Sequence, residues 1–162
     1  MSHELKFDTE PHFVFDRIIS PEELDILADK SASHGKLKFY FPENYLAKLK
    51  TLVNEKGIHI IAKNFGDKSF AGYVGATEKS LVSFPSTVLI VELFVDPKEQ
   101  GKGLGRKLVQ SVIDVAKSYS LRGAVVQTEN ENLPAQALYE KLGFKKVLNP
   151  DWNDGMTYLM EF

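Results

Sequence analysis

Between an apolar run ending at Val95 and an amphipathic run beginning at Leu104 lies Asp96-Pro97-Lys98-Glu99-Gln100-Gly101-Lys102-Gly103, with Gly105 and Arg106 just beyond. This junction restricts the fold more than any other stretch. Thr87 to Val95 is nearly continuous apolar sequence, as in a strand covered on both faces. Leu104, Leu108, Val112 and Val115 recur at helical spacing within Leu104 to Lys117. A glycine-dense bend joining the two aims the unsatisfied donors of the helix N-terminus at whatever sits on the bend. Glycines at 101, 103 and 105 remove Cβ atoms, so backbone N–H groups can converge on an anion such as phosphate. Lys102 and Arg106 add charge beside it. The same glycines also suit a plain strand-to-helix turn with solvated basic side chains.

Spacing excludes two nucleotide patterns. A dinucleotide fingerprint started at Gly101 needs glycine where Arg106 stands, and started at Gly103 it needs glycine where Leu108 stands. A P-loop needs Ser or Thr after Gly101-Lys102, and Gly103 follows. What remains is Gln100-x-x-Gly103-x-Gly105. Composition narrows the partners further: 20 Lys plus Arg against 22 Asp plus Glu give a formal charge of −2. No global field favours nucleic acid or an anionic membrane. The absence of cysteine removes disulfides, thiol nucleophiles and thiolate metal sites. His3, His12, His34 and His59 show no metal-ligand spacing, so no metal is expected. The polar start, Met1 to Glu10, lacks the core of a signal peptide, and no apolar run is long enough for a bilayer. A cytoplasmic location is the expectation.

With 162 residues and 43% hydrophobic content, the chain is expected to form one domain, 1–162, without repeat or linker. Phe13 to Ile19 reads as a strand, followed by the capping box Ser20-Pro21-Glu22-Glu23 and a helix to about Lys30. Tyr45, Leu46, Leu49, Leu52 and Val53 mark a second helix that stops at Gly57. Ile58 to Lys63 and Ser69 to Thr77 read as strands joined by a turn at Asn64-Phe65-Gly66-Asp67. Thr87 to Val95, the helix from Leu104, and a strand from about Ala124 to Thr128 form a crossover unit with parallel strands. Asn132 to Leu142 is a helix ended by Gly143, and Phe144 to Leu148 with Met156 to Phe162 makes a closing hairpin.

Asn132-x-x-Ala135-x-x-Leu138-Tyr139-Glu140-Lys141-Leu142-Gly143-Phe144, coming after the Gln100-x-x-Gly103-x-Gly105 bend, resembles the GNAT superfamily of acyl-CoA-dependent N-acetyltransferases. The resemblance covers residues 87 to about 147. It implies a mixed α/β fold: a central, mostly antiparallel sheet of about 6–7 strands, splayed between two parallel central strands, with about four helices on both faces. Within the domain, 1–85 is then the acceptor-side half, 86–147 the acetyl-CoA-binding core and 148–162 the C-terminal hairpin. The implied activity is transfer of acetyl from acetyl-CoA to a primary amine, on a small molecule or a protein, by direct attack in a ternary complex. No cysteine is present to carry an acyl intermediate. A monomer or homodimer is expected. A non-catalytic acyl-CoA-binding or sensing module is the alternative, and a nucleotide module ranks below both.

The resemblance also assigns the residues. The pyrophosphate of coenzyme A would lie on Gln100, Gly101, Lys102, Gly103, Leu104, Gly105 and Arg106, and the pantetheine arm along Leu93, Phe94 and Val95 as an added strand. That strand end must then be unpaired, and a backbone N–H from it would polarise the thioester carbonyl. Asn132, Ala135 and Tyr139 share a helix face and would also contact the cofactor, with Tyr139 the candidate general acid toward the departing thiolate. Core packing of Tyr139 and simple capping by Asn132 are the competing readings. Glu92 is the only carboxylate in the apolar strand and the candidate base; strand alternation places it opposite Leu93 and beside Phe94. An ion pair is its other reading, and a water chain the other source of a base. Phe39-Tyr40-Phe41 are expected to pack, Asp151-Trp152-Asn153-Asp154 to form a polar tip, Lys48 to Lys56 to be a solvated helix face, and His59 to face solvent or a backbone partner.

Overall fold

A computed structural model describes residues 12–18, 57–78 and 80–162. Both helices expected before Gly57, the capping box at Ser20, Phe39-Tyr40-Phe41 and Lys48 to Lys56 lie outside these residues. Seven strands form one sheet: β1 (Phe13–Ile18), β2 (Ile58–Asn64), β3 (Phe70–Thr77), β4 (Thr87–Val95), β5 (Gly123–Glu129), β6 (Lys145–Val147) and β7 (Gly155–Glu161), in the order β1-β2-β3-β4-β5-β7-β6. β4 and β5 run parallel, and the other described pairs are antiparallel. The described helices are α1 (Leu104–Ser118) and α2 (Leu133–Leu142), and a short 3-10 turn spans Pro97–Glu99.

α1 forms where the apolar spacing places it, but its buried stripe is wider than Leu104, Leu108 and Val112: Val109, Ile113 and Ala116 are buried too, while Val115 is half-buried against the core. A broad stripe suits a helix laid across several strands rather than against one partner. Its buried side chains join those of β2 to β5 in one core, each worth about 1.5–3 kcal/mol when fully removed from water. The β2–β3 turn is where expected, with Lys68 rather than Gly66 taking positive φ, at 60°. Gly143 closes α2 in the left-handed region at φ 101°, with the Phe144 N–H returning to Tyr139 O.

Two departures from regular strand geometry shape the centre of the sheet. β3 pairs Gly75 with Glu92 and then Ala76 with Ile90, so Val91 is an extra residue in β4. Ahead of this bulge Val88 and Ile90 belong to the core; past it, Leu93 and Val95 pack against that same core. The bulge therefore moves Glu92 off the face that Val88 and Ile90 share. In addition, β4 pairs with β5 only from Thr87↔Gly123 to Ile90↔Val126, although β4 continues to Val95 and β5 to Glu129. Beyond Ile90 the two strands part.

Candidate active site

The parting opens a cleft of about 710 Å³. One wall is β4 from Ile90 to Leu93 with Val95, the other is Val126 to Glu129 of β5, and α2 contributes Ala135, Leu138 and Tyr139. The bend after β4 closes one end with Gln100, Gly101, Gly103, Gly105 and Arg106. That size suits a ligand pocket of the common range, roughly 300–1,000 Å³.

The bend is held from within. Asp96 accepts the Lys98 N–H at 2.9 Å, its own N–H donates to Ala71 O at 2.8 Å, and Gln100 Nε2 donates to Val95 O at 3.3 Å. Glu99 is braced by Asn64 Nδ2 at 3.2 Å and Lys102 Nζ at 2.9 Å. Gly101 and Gly103 have φ 82° and 78°, and a Cβ at either would have nothing within 4 Å. Their need for glycine is conformational, since the left-handed region costs an L-residue about 1–2 kcal/mol. Gly105 differs: its φ is ordinary, and a Cβ there would meet Leu138 at 3.4 Å and Val95 at 3.7 Å, ordinary contact distances, so neither conformation nor space within the protein demands glycine. Gly103 caps α1 without a side-chain hydrogen bond, and no acidic residue stands in the first turn. The helix N-terminus thus keeps its donors and positive dipole end for an anion.

The expected residues do not all reach the cleft. Leu93, Val95, Gln100, Gly101, Gly103, Gly105, Arg106, Asn132, Ala135, Tyr139 and Glu92 line it. Leu104 also borders it, but its side chain is buried in the core, which leaves its backbone as the part able to meet a ligand. Phe94 and Lys102 are not in the lining; Phe94 stacks on Phe70 at 5.9 Å between ring centroids, and Lys102 turns to Glu99. Asn132 caps α2, its side chain accepting the Ala135 N–H at 3.3 Å, while still bordering the cleft. In the C-terminal hairpin tip, Asp151 is tied to Ser83 Oγ at 2.6 Å.

His59 corrects the expectation that it faces solvent. It is 0% exposed, and its Nδ1 lies 2.5 Å from the Tyr73 hydroxyl. Ile58 to Ala62 is buried at every position, so alternation offered this side chain no wet face. Gln136, not singled out from sequence, is also buried: its Nε2 donates to Glu129 O and Asn130 O, tying α2 to the end of β5. A glutamine inside the otherwise apolar run Leu133-Pro134-Ala135-Gln136-Ala137-Leu138 is the signal the sequence offers.

Tyr139 is 5% exposed, edge-on to Phe144 at 5.7 Å and tilted against Tyr158 at 6.1 Å. Burial first, and the charge of Glu92 second, push its hydroxyl from 10.0 up to about 12. The phenol is therefore a proton holder and hydrogen-bond donor throughout the neutral range. Glu92 and Tyr139 are close enough to feel each other electrostatically across the cleft. Among the described residues, no group of three or more His, Cys, Asp or Glu is placed to hold a metal ion, and no helix is long and apolar enough to cross a membrane.

Residues 24–144 match the family model described as Acetyltransferase (GNAT) family. The chain belongs to that family. Among relatives, it is 34% identical over 107 residues to L-amino acid N-acyltransferase MnaT of Escherichia coli K12, covering 65% of this chain and 55% of that protein. It is 35% identical over 81 residues to N-alpha-acetyltransferase RimI of Mycobacterium tuberculosis, covering 49% of this chain and 48% of that protein. The chain thus spans about half the length of these curated relatives. A GNAT-family acetyltransferase from Staphylococcus aureus Mu50 superposes with TM-score 0.69 at 19% identity, over 92% of this chain and 98% of that one. PaiA N-acetyltransferase of Thermoplasma acidophilum, solved in complex with coenzyme A, gives 0.68 at 14% identity, over 93% and 99%. At such identities the likeness concerns the GNAT fold. The mixed sheet with its single described parallel pair is the architecture the resemblance implied.

Proposed function

We propose that this GNAT chain transfers acetyl from acetyl-CoA to the α-amino group of a small molecule or peptide, by direct attack in a ternary complex. The observation that carries the reading is the parting of β4 from β5 after Ile90↔Val126, directly beside a bend with two glycines in the left-handed region. The donors of the bend and of the α1 N-terminus would hold the pyrophosphate. The pantetheine amides would pair with β4 from Leu93 to Val95, where the ladder to β5 has ended, like an inserted strand. The residues fit such a ligand: open space at Gly101 and Gly103, and a cleft bordered by both β4 and β5.

Glu92 takes the proton that the ammonium must lose. The amine nitrogen then bonds to the thioester carbon, a backbone N–H of β4 steadies the oxyanion, and the carbon–sulfur bond breaks toward Tyr139, with the second proton of the attacking nitrogen passing to the thiolate as the amide and free coenzyme A thiol form. A phenol near 12 facing a thiolate whose conjugate acid is near 8.5 would give up its proton only at a cost of about 5 kcal/mol. Its first service is thus a hydrogen bond to the leaving sulfur. Once Glu92 is protonated, its charge no longer raises Tyr139, so the acid strengthens in the step that uses it. The α-amino choice is supported by the relatives' names, which speak of L-amino acid and N-alpha acylation, and by energetics. At pH 7 deprotonating an α-amino group costs about 1 kcal/mol, against about 4.6 for a lysine-like amine.

Thiol release from acetyl-CoA should be measured across free amino acids, peptides with free or blocked N-termini, and alkylamines. Turnover confined to free α-amino groups is expected. Calorimetric binding of acetyl-CoA without thiol release for any amine would leave a sensing module instead. Gly103→Ala, which strains a residue at φ 78°, should weaken coenzyme A binding roughly 5–30-fold while leaving the fold intact. Unchanged affinity would remove the bend from the binding site.

A further inference from the structure

β2, β3 and β4 place His59, Gly75 and Glu92 in one row across the sheet, His59 opposite Gly75 and Gly75 opposite Glu92. The middle position has no side chain, and Tyr73, two residues earlier on the same strand, leans over it. A Cβ at Gly75 would lie 2.6 Å from the Tyr73 hydroxyl and 3.2 Å from His59 Nδ1. Tyr73 and His59 are both 0% exposed, their rings stacked at 5.9 Å and 21°, with Nδ1 and hydroxyl 2.5 Å apart. Directly opposed residues of neighbouring antiparallel strands hold their Cβ atoms about 4.5–5.5 Å apart. A hydroxyl over Gly75 therefore stands beside the strand position that carries Glu92, on the face to which the Val91 bulge turned it.

We infer that Tyr73 and His59 are positioning residues for Glu92, an inference that rests on the reading of Glu92 as the base. Donor and acceptor inventory sets the direction of the chain. An ionised carboxylate only accepts, and a tyrosine has one proton to give, so Tyr73 O–H donates to Glu92 and accepts the Nδ1–H of His59. The pair holds the carboxylate in one rotamer and favours its charged, proton-accepting form. Gly75 is glycine because any side chain would occupy the space the hydroxyl needs. The titratable groups facing this row include Tyr73 on β3, His59 on β2 and, across the cleft, Tyr139 on α2.

The test is the pH profile of kcat/KM for the full chain. Without the hydroxyl the carboxylate protonates more readily, so Tyr73→Phe should move the acidic limb upward by about one pH unit, with the loss concentrated below the limb. His59→Ala should move it the same way, and His59→Asn, which keeps an N–H near the Nδ1 position, should bring it back. A folded Tyr73→Phe with an unmoved limb overturns the inference. Glu92→Gln separates the two readings: if it abolishes the limb while Tyr73→Phe leaves it in place, only the positioning role fails; if it leaves the limb, the base reading itself fails. Should Tyr73→Phe not fold, nitrogen NMR of His59 in the unaltered protein decides: a protonated Nδ1 supports the chain, and a bare Nδ1 overturns it.

Discussion

Tyr139→Phe should lower kcat by about 10²–10⁴-fold, the usual worth of a positioned acid, while coenzyme A binding and thermal stability stay close to those of the unaltered protein. The substitution removes one oxygen and keeps the ring that packs against Phe144 and Tyr158. Two pH statements accompany it. The hydroxyl is raised from 10.0 to about 12, so no alkaline fall in activity below about pH 11 should come from its ionisation. The linkage sign follows: a folded-state value above the unfolded one contributes stability present below pH 10 and lost as pH rises toward 12. Tyr139→Phe should abolish that share of the alkaline loss. Single-turnover kinetics with acetyl-CoA bound measure the chemical step; unchanged turnover at every pH would end the acid role.

Leu108→Ala should cost about 2–5 kcal/mol of stability, or roughly 5–15 °C in Tm. Leu108 is 0% exposed near the middle of the α1 stripe. Its Cδ1 would stand 3.0 Å from a Cβ at Gly72, and that Cβ would lie 2.8 Å from Phe94 O, so the helix rests directly on the backbone of β3 and β4. Main chain cannot rotate into a vacated space as a side chain can, and the cavity should persist. α1 also carries the N-terminus that faces the bend, so loss of this anchor links stability to ligand affinity. Urea unfolding with and without coenzyme A would separate the two effects, and a loss under 1 kcal/mol would show that the site collapses.

Much of this was legible residue by residue. The bend, α1, α2 with its Asn132 start and Gly143 stop, and all seven strands appear close to their expected bounds, because caps, glycines and apolar spacing act within a few residues. The three glycines of the bend are not equivalent: Gly101 and Gly103 serve backbone conformation, while Gly105 has an ordinary φ and room for a Cβ. Glu92 was assigned beside Phe94 and opposite Leu93 by simple alternation. Its placement away from the face of Val88 and Ile90, however, depends on the Val91 bulge, which exists only in the register with β3. The burial of His59 leaves no local mark, because Tyr73, its partner, stands on another strand.

From the chain alone came the strand, bend and helix, the helix N-terminus aimed at the bend, and the exclusion of cysteine nucleophiles, since each follows from local sterics or from residues simply present or lacking. Only the tertiary structure decided where β4 leaves β5, which wall carries Glu92, and what stands behind it. Those depend on ladders between residues far apart in sequence, where a shift of one position exchanges the two faces of the sheet.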